Sequence, residues 1–287
     1  MKAAPFAYVR PSAVGDAVAE LAGADGAGKV LAGGQSLVPV MAMRLARPEV
    51  LVDIAGIGSL SAVERDGPAV EIGAVVRQRH VERSPLAGSV PLLGQALPWV
   101  GHRELRSRGT VCGSLAHADP AAEIPAVACC LDGRITLTGS GGSRQVSARE
   151  FFTGAMTTDL RPDEVLTSLR LPVAAGEGFG FGEIARRHGD FALAGVAVRA
   201  GERAVVTGFG VSDRPVTREV TTQLDACTSA PDVERALREP MSELAREAVD
   251  TDGDAHGSRE YRQRLFTVLA SRELAKAHHR SQGGGKS

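Results

Sequence analysis

The chain has 287 residues, 43% of them hydrophobic, and a formal net charge of −1 at pH 7. This length predicts two domains, or one large and one small, and the hydrophobic content is sufficient for buried cores. The near-zero charge excludes an electrostatic field that recruits nucleic acid or an anionic membrane. The sequence has no signal-peptide pattern and no apolar run of about 18 residues, so we predict a cytoplasmic protein without membrane insertion.

The cysteines and histidines argue against a metal centre. The four cysteines have no C-x-x-C spacing, and the seven histidines form no zinc-type cluster with them. We therefore expect no metal site and no iron–sulfur cluster in this chain. Cys129 and Cys130 are adjacent on an apolar segment and are interpreted as small buried residues.

The first 55 residues are predicted to alternate helix and strand. Apolar residues at helical spacing follow Ser12, which is placed to cap the first helix, and Pro39 fits the first turn of the second. Short apolar runs before and after that second helix predict buried strands. The predicted elements are a helix over 12–22, a strand over 29–31, a helix over 38–45 and a strand over 50–54.

After residue 55 the pattern changes to strands separated by turn residues, with helical stretches between them. A further unit begins with two strands joined at Gly201-Glu202, a tight hairpin signal. The last residues, 281–287, are rich in glycine and are predicted to be disordered. The predicted strands cover 69–74, 135–138, 165–171, 192–200 and 204–211, the predicted helices cover 78–108, 121–131, 231–250 and 258–278, and residues 172–178 are predicted to be a linker.

The first of two glycine loops, residues 32–37, joins a predicted strand to a predicted helix. Unpaired N–H groups at such a helix start suit a pyrophosphate, and glycines let the backbone approach it closely. The loop matches neither G-x-G-x-x-G nor the P-loop pattern, so nicotinamide Rossmann and triphosphatase sites are poorly supported. The alternative is an ordinary tight turn. The loop consists of Ala32, Gly33, Gly34, Gln35, Ser36 and Leu37.

The second glycine loop, residues 110–120, combines several polar side chains in one irregular segment. The hydroxyls of Thr110 and Ser114, together with loop N–H groups, can donate to phosphate oxygens. His117 is either a general acid or base or an ordinary loop histidine. Asp119 either serves the site or caps the next helix, with Pro120 at its first position. Two such loops suit a ligand with two phosphates, which predicts a dinucleotide.

Three arginines, Arg103, Arg106 and Arg108, precede the second glycine loop. They either support a pyrophosphate electrostatically or pair with nearby carboxylates on a solvated helix face. Both interpretations need only positive charge at this place, so the residues alone leave the choice open.

These motifs, in this order, resemble the FAD-binding medium subunits of the molybdenum hydroxylases, the family that includes carbon monoxide dehydrogenase and xanthine dehydrogenase. The two glycine loops resemble that family's two FAD loops, and the resemblance covers essentially the whole chain. The chain is more similar to the carbon monoxide dehydrogenase type than to the large fused eukaryotic enzymes. Further matching segments are residues 5–12, 100–110, 114–123, 163–166, 171–172 and 186–192.

The resemblance implies an α+β fold in two domains. A two-part FAD-binding domain of the PCMH type, which is vanillyl-alcohol-oxidase-like, would span residues 1–176, with parts of about 1–55 and 56–176. A C-terminal α+β domain with a small antiparallel sheet and helices would span residues 177–287.

The resemblance also implies that FAD is the cofactor. Cys112 stands where the family usually has glycine, and it would be strained at positive φ; we expect a buried, inert thiol. Gln35 replaces a frequent histidine. Phe191 falls where some relatives place a tyrosine against the isoalloxazine ring, with core packing as the alternative. The residues assigned to cofactor binding are Ala32, Gly33, Gly34, Gln35, Ser36, Leu37, Thr110, Val111, Cys112, Gly113, Ser114, His117, Asp119, Glu123, Leu166 and Phe191.

The function implied by the resemblance is that of a flavoprotein subunit in a molybdenum-containing dehydrogenase. Its partners would be an iron–sulfur small subunit and a molybdopterin large subunit. FAD would accept electrons from [2Fe–2S] clusters of the partner and pass them to an external acceptor. One alternative is a free-standing FAD-dependent oxidase or dehydrogenase that acts directly on a small molecule, and another is a non-catalytic nucleotide-binding module.

Overall fold

The structure is a computed structural model that describes residues 2–173 and 176–283. Three 3-10 turns, Gly58–Leu60, Pro85–Ser89 and Leu97–Trp99, accompany the helices and strands. The strands are β1 (Ala7–Val9), β2 (Gly28–Leu31), β3 (Val50–Asp53), β4 (Val63–Asp66), β5 (Ala69–Gly73), β6 (Arg134–Gly139), β7 (Gly142–Ser147), β8 (Phe152–Gly154), β9 (Thr157–Thr158), β10 (Val165–Pro172), β11 (Gly178–Ala185), β12 (Ala192–Ala200), β13 (Val205–Phe209), β14 (Val216–Glu219), β15 (Gly253–Asp254) and β16 (Gly257–Ser258). The α-helices are α1 (Val14–Gly23), α2 (Leu37–Ala42), α3 (Gln78–Arg83), α4 (Pro91–Ala96), α5 (Arg103–Arg106), α6 (Val111–His117), α7 (Glu123–Cys130), α8 (Ala148–Phe151), α9 (Thr221–Cys227), α10 (Val233–Ala236), α11 (Arg238–Ala248) and α12 (Arg259–Gly283).

The first sheet is parallel and has the strand order β1-β3-β2. Helix α1 covers it with Ala17, Val18 and Leu21, which are buried. The predicted cap at Ser12 is wrong, because the helix begins two residues later and its N-cap residue, Ala13, has no side chain that could cap it. The carboxyl ends of the parallel strands share one edge, where ligands bind in open parallel sheets. The first glycine loop starts at that edge.

The second sheet is antiparallel, with the order β4-β5-β10-β6-β7. Its three central strands are those that the sequence predicts at 69–74, 135–138 and 165–171. The two outer strands, β4 and β7, were not predicted. They are largely polar and half-exposed, so they lack the apolar pattern of a buried strand.

The third sheet is antiparallel, with the order β11-β12-β13-β14, and it lies between two layers of helices. Helix α12 packs on one face, and α4 and α7 pack on the other. Every residue of β12 is buried. A Cβ on Gly178 would lie 1.8 Å from the carbonyl oxygen of Ala277, and one on Gly180 would lie 2.6 Å from that of Glu273. Glycine therefore lets α12 approach the backbone of β11 directly.

Two hydrophobic clusters form the interior. One contains residues of α11, α12 and the third sheet, such as Met241 and Phe266. The other contains Ile124 and its neighbours in the first 173 residues, and it extends to Phe181 and Phe209, whose rings stack with centroids 5.6 Å apart. The third sheet thus shares a core with the N-terminal region. The division into domains at residues 55 and 176 stays a prediction.

Several predicted helices differ from the structure. The helical pattern over 78–108 is divided into α3, α4, α5 and two 3-10 turns, because Pro85, Pro91 and Pro98 interrupt it. The helix predicted over 231–250 is split into α10 and α11, and α9 was not predicted.

The C-terminal helix is longer than predicted. It continues past His278 to Gly283, so the disorder predicted for 281–287 is wrong for its first three residues, and 284–287 lie outside the described residues. Arg280 donates to the carbonyl oxygen of Phe179 on β11, and this packing extends the helix into a stretch of low helix propensity. Two residues of the predicted linker, Ala174 and Ala175, also lie outside the described residues.

Candidate functional site

The first glycine loop leaves β2 after Leu31 and enters α2 at Leu37. Gly34 has φ +72°, a conformation that favours glycine. A Cβ on Gly33 would lie 2.3 Å from the carbonyl oxygen of Arg108 and 2.8 Å from the Cα of Gly109. The backbone just before the second glycine loop therefore touches the first loop. The two glycine loops therefore lie next to each other, as a single dinucleotide bound by both would require.

The first loop has backbone donors without internal partners. Across residues 2–173 and 176–283, we find no internal hydrogen bond from the N–H groups of Gly34, Gln35 and Ser36. All three residues are half-buried. Half-buried N–H groups without partners fit an anionic ligand such as a diphosphate, because an unpaired buried donor costs free energy. The Gln35 side chain donates to the carbonyl oxygen of Gly33 at 3.3 Å.

The second glycine loop is mostly helical, so the prediction of one irregular segment over 110–120 is wrong. Thr110 is buried and is the N-cap of α6, since its Oγ1 accepts from the Gly113 N–H at 3.0 Å. A Cβ on Gly113 would lie 2.6 Å from that Oγ1. The N–H of Val111 donates to the carbonyl oxygen of Val76 at 3.1 Å. The Thr110 hydroxyl still has its own proton to donate.

Cys112 points away from the loop and into the core. It is 2% exposed, its φ is not positive, and its Sγ lies 3.5 Å from the carbonyl oxygen of Ile72. Burial raises the pKa of the Cys112 thiol far above its usual value. The expectation that Cys112 is buried is confirmed, and the strain of a positive φ does not arise, because its φ is not positive. Only its backbone is left to face a ligand.

The end of the second glycine loop is a turn between two helices. Ser114 and His117 are half-buried on α6. The residue that follows this helix, Ala118, has φ +52°. Asp119 is not the cap of the next helix, because α7 begins at Glu123; its carboxylate accepts instead from the Ala121 N–H at 2.9 Å. This Asx turn gives Asp119 a local structural role.

The loop is also tied to the third sheet. The carbonyl oxygen of Pro120 accepts from the Gly210 N–H at 2.8 Å. Because Gly210 follows directly after β13, this bond fixes the turn between α6 and α7 against the C-terminal region.

Arg106 has a structural role. It is 7% exposed, and its guanidinium pairs with Glu82 and donates to the carbonyl oxygens of Val100 and Gly101 at 3.1 and 2.9 Å. These donors are therefore used within the protein, and local pairing is the interpretation that the structure supports for Arg106. Arg103 and Arg108 are exposed.

Glu123 is the first residue of α7 and is 7% exposed. Burial raises its pKa to about 7. A second carboxyl, Glu183 on β11, is 5% exposed, and burial followed by the negative charge of Glu123 raises its pKa to about 8. Sequence reasoning missed Glu183. The available signal was a single acidic residue in an otherwise apolar run, Gly-Phe-Gly-Phe-Gly-Glu-Ile-Ala.

Leu166 and Phe191 differ in exposure. Leu166 is 5% exposed on β10, whereas Phe191 is 70% exposed, so core packing is the wrong interpretation of Phe191. The loop before Phe191 lies beside the segment that leads to the second glycine loop, since the ring centroid of His188 is 6.1 Å from those of Trp99 and His102. Contact of Leu166 and Phe191 with a cofactor stays a prediction.

The described part of the chain has neither a metal-type cluster of side chains nor a helix that could span a membrane. Within residues 2–173 and 176–283, no group of three or more His, Cys, Asp or Glu side chains is placed to hold a metal ion. No helix in the same ranges combines the length and apolarity needed to cross a bilayer.

Comparison with known proteins gives the family of the chain. Residues 4–174 match the family described as FAD binding domain in molybdopterin dehydrogenase. The nicotine 6-hydroxylase medium subunit of Paenarthrobacter nicotinovorans is 35% identical, over 98% of this chain and 100% of that protein. The carbon monoxide dehydrogenase medium chain of Afipia carboxidovorans is 34% identical, over 96% of this chain and 98% of that one.

Solved structures give the same result. Carbon monoxide dehydrogenase from Oligotropha carboxidovorans superimposes with a TM-score of 0.90 at 32% identity, covering 98% of this chain and 100% of that chain. Quinoline 2-oxidoreductase from Pseudomonas putida 86 gives a TM-score of 0.90 at 33% identity, with 99% of both chains covered. The chain therefore belongs to the family of FAD-binding domains in molybdopterin dehydrogenases, and it is an oxidoreductase subunit with FAD as its cofactor.

Proposed function

We propose that this chain is the FAD-carrying medium subunit of a molybdenum hydroxylase, in which FAD takes electrons from [2Fe–2S] clusters of a small subunit and passes them to an external acceptor. A molybdopterin large subunit would act on the substrate. Relatives named as medium subunits or medium chains align with this chain over nearly their whole length, which supports this division of labour. The four cysteines are buried and form no cluster ligand set among the described residues.

The observation that carries the proposal is the contact of Gly33 with the backbone just before the second glycine loop. Beside this contact the first loop leaves three backbone N–H groups without internal partners in the described structure. The N–H groups of Gly34, Gln35 and Ser36 would bind the diphosphate of FAD. The Thr110 hydroxyl would donate from the other side. Phe191 offers an exposed aromatic face for the isoalloxazine ring. Bound FAD supplies the redox chemistry, and these residues bind and orient it.

The experiment that tests the proposal compares the chain alone with the chain in its complex. The purified chain should be yellow and show a flavin spectrum, and its flavin should stay oxidised with small substrates alone. In a complex with its two partners, substrate should bleach the flavin. Bleaching of the isolated chain by a small-molecule substrate would favour the free-standing oxidase or dehydrogenase. A colourless chain that does not bind added FAD would contradict the proposal outright.

A further inference from the structure

The pairing of β12 with β13 ends at the side of the third sheet that meets the second glycine loop. The last paired residues there are Gly195 and Phe209. The next residue, Gly210, has φ +69°, a conformation that interrupts the extended strand and favours glycine. Its N–H donates to the carbonyl oxygen of Pro120, the last residue of the second glycine loop, at 2.8 Å. The end of β13 is therefore bonded to that loop.

Gly210 also packs against the start of β12. A Cβ on Gly210 would lie 2.7 Å from the carbonyl oxygen of Ala192. Ala192 directly follows Phe191, the exposed aromatic residue that we propose faces the isoalloxazine ring. Glycine at position 210 therefore lets the second glycine loop and the segment that carries Phe191 meet at one point.

One side chain of α12, Arg262, reaches this point. It is 6% exposed, and its Nη1 donates to the carbonyl oxygen of Gly210 at 2.7 Å and also to that of Leu193. Both carbonyl oxygens lie beyond the last β12–β13 pair. The guanidinium therefore bridges the two strands at the place where their own hydrogen bonds have ended.

The β15–β16 hairpin holds the same guanidinium from its other side. The Nη2 of Arg262 donates to the Oδ2 of Asp254 at 2.7 Å. The Oδ1 of Asp254 accepts from the N–H groups of His256 and Gly257, at 2.8 and 3.1 Å. These hydrogen bonds and the charge of Arg262 hold the pKa of Asp254 below its usual value. The buried guanidinium thus meets a charged and oriented carboxylate, which offsets the cost of its burial.

Arginine suits this position because its planar fork carries five N–H donors in fixed directions. The acceptors of Arg262 come from three segments of the chain, at Leu193, Gly210 and Asp254. A lysine has one nitrogen and no fork, so it cannot hold all three acceptors in the same arrangement. Arg262 therefore fixes the three segments relative to one another.

We propose that Arg262 is a positioning residue for the FAD site. Through Gly210 it holds the end of the second glycine loop, and through Leu193 it holds the segment that carries Phe191. One guanidinium thus sets the distance between these two sides of the site. This role rests on the proposed function, which places the diphosphate of FAD at the second glycine loop and the isoalloxazine ring at Phe191.

The first test measures FAD affinity in variants of the full-length chain by flavin fluorescence titration. Arg262→Met keeps an apolar stem and removes the donors, so FAD affinity should fall about tenfold. Arg262→Lys keeps the charge and some of the donors, so its affinity should fall only about threefold. Met241→Ala is the matched control, because it leaves a cavity in the cluster shared by α11 and α12 and removes no hydrogen bond of this network.

The titrations are made at a temperature at which circular dichroism shows each variant to be folded. Met241→Ala should then bind FAD as wild type does, which separates positioning from a general loss of stability. Wild-type affinity in Arg262→Met, or an equal loss in Met241→Ala, would overturn the positioning role. If Arg262→Met does not fold, Arg262→Lys replaces it, and wild-type affinity in that variant would overturn the role.

The second test needs no FAD. Amide hydrogen exchange of the chain without ligand, read by mass spectrometry, reports how firmly the bridged segments are held. Arg262→Met should speed exchange about tenfold in peptides that cover residues 187–193 and 209–212, whereas Met241→Ala should leave both near the wild-type rate. Unchanged exchange in Arg262→Met would overturn the bridge. A chain that shows the bridge and binds no FAD would instead contradict the proposed function.

Discussion

The two glycine loops use their backbones differently. In the second loop, the N–H of Gly113 bonds to the cap hydroxyl of Thr110, and that of Val111 bonds to Val76. In the first loop, the described structure has no internal partner for the N–H groups of Gly34, Gln35 and Ser36. The second loop is therefore held by hydrogen bonds within the protein, and the first leaves three N–H groups free to bind a ligand.

The loops are also linked by a packing contact. Gly33 fits against the carbonyl oxygen of Arg108 because it has no side chain. The first loop is thus packed against the backbone that leads into the second, and a side chain at Gly33 would push the two apart. The scaffold and the binding surface are therefore separate parts of this site, so substitutions in each part should have different effects.

The largest effect is expected for Gly33→Ala. The new Cβ would clash with the backbone of Arg108 and Gly109, just before the second glycine loop, and such overpacking costs about 1–3 kcal/mol. If the strain is relieved by separating the loops, FAD affinity should fall by about ten- to a hundredfold, as measured by flavin fluorescence titration. Gly58→Ala is the control, since a Cβ there meets nothing within 4 Å. Unchanged affinity in Gly33→Ala would show that the loop contact does not support FAD binding.

Thr110→Ala tests the scaffold. Loss of the N-cap should destabilise the protein by about 1 kcal/mol, which urea unfolding measures, and should weaken FAD binding about fivefold. Thr110→Ser keeps the cap hydroxyl and should behave nearly as wild type. If alanine and serine have the same effect, the cap hydrogen bond does not maintain the loop geometry on which FAD binding depends.

Gln35→Ala should have a smaller effect. Its side-chain bond to Gly33 is long, at 3.3 Å, and only half-buried, so its loss is worth less than about 1 kcal/mol. We expect FAD affinity to change less than about fivefold and the free energy of unfolding to change by less than about 0.5 kcal/mol. A tenfold or greater loss of affinity would mean that this side chain contacts the cofactor directly.

The smallest effect is expected at Cys112. Its buried thiol has a raised pKa, so a thiol reagent at pH 8 should label it only after denaturation. Mass spectrometry of the labelled peptide measures this. Rapid labelling in the folded protein would place the thiol at the surface of the second loop and would contradict its assignment to the core.

The sequence predicts the parts of the fold that carry a local apolar pattern. The strands β5, β6 and β10 are central in their sheet. Most residues of β5 and β10 are buried, and β6 alternates buried with less buried residues, so their apolar sequences are recognisable. The strand β7 reads Gly-Ser-Arg-Gln-Val-Ser. It is held by pairing with β6 and by ion pairs of Arg144 with Asp159 and Glu164, which no local pattern reveals. The extension of α12 likewise depends on contacts with β11, which lies about a hundred residues away in the sequence.

The outline of the candidate site could likewise be predicted from local sequence. Glycine and hydroxyl residues mark both loops, and the resemblance assigns them to FAD. Residue roles that arise from tertiary contact were not accessible, as Arg106 shows by pairing with Glu82 from another helix. Glu183 was missed because its burial results from the packing of one sheet against a distant helix.

The glycine-lined face of β11 has a mechanical consequence. With no side chains between the strand and α12, backbone meets backbone at Gly178 and Gly180. At these positions no side chains lie between the strand and the helix that could adjust if one slid over the other. We therefore expect a displacement of the third sheet to carry the last helix with it, so that β11 and α12 move together.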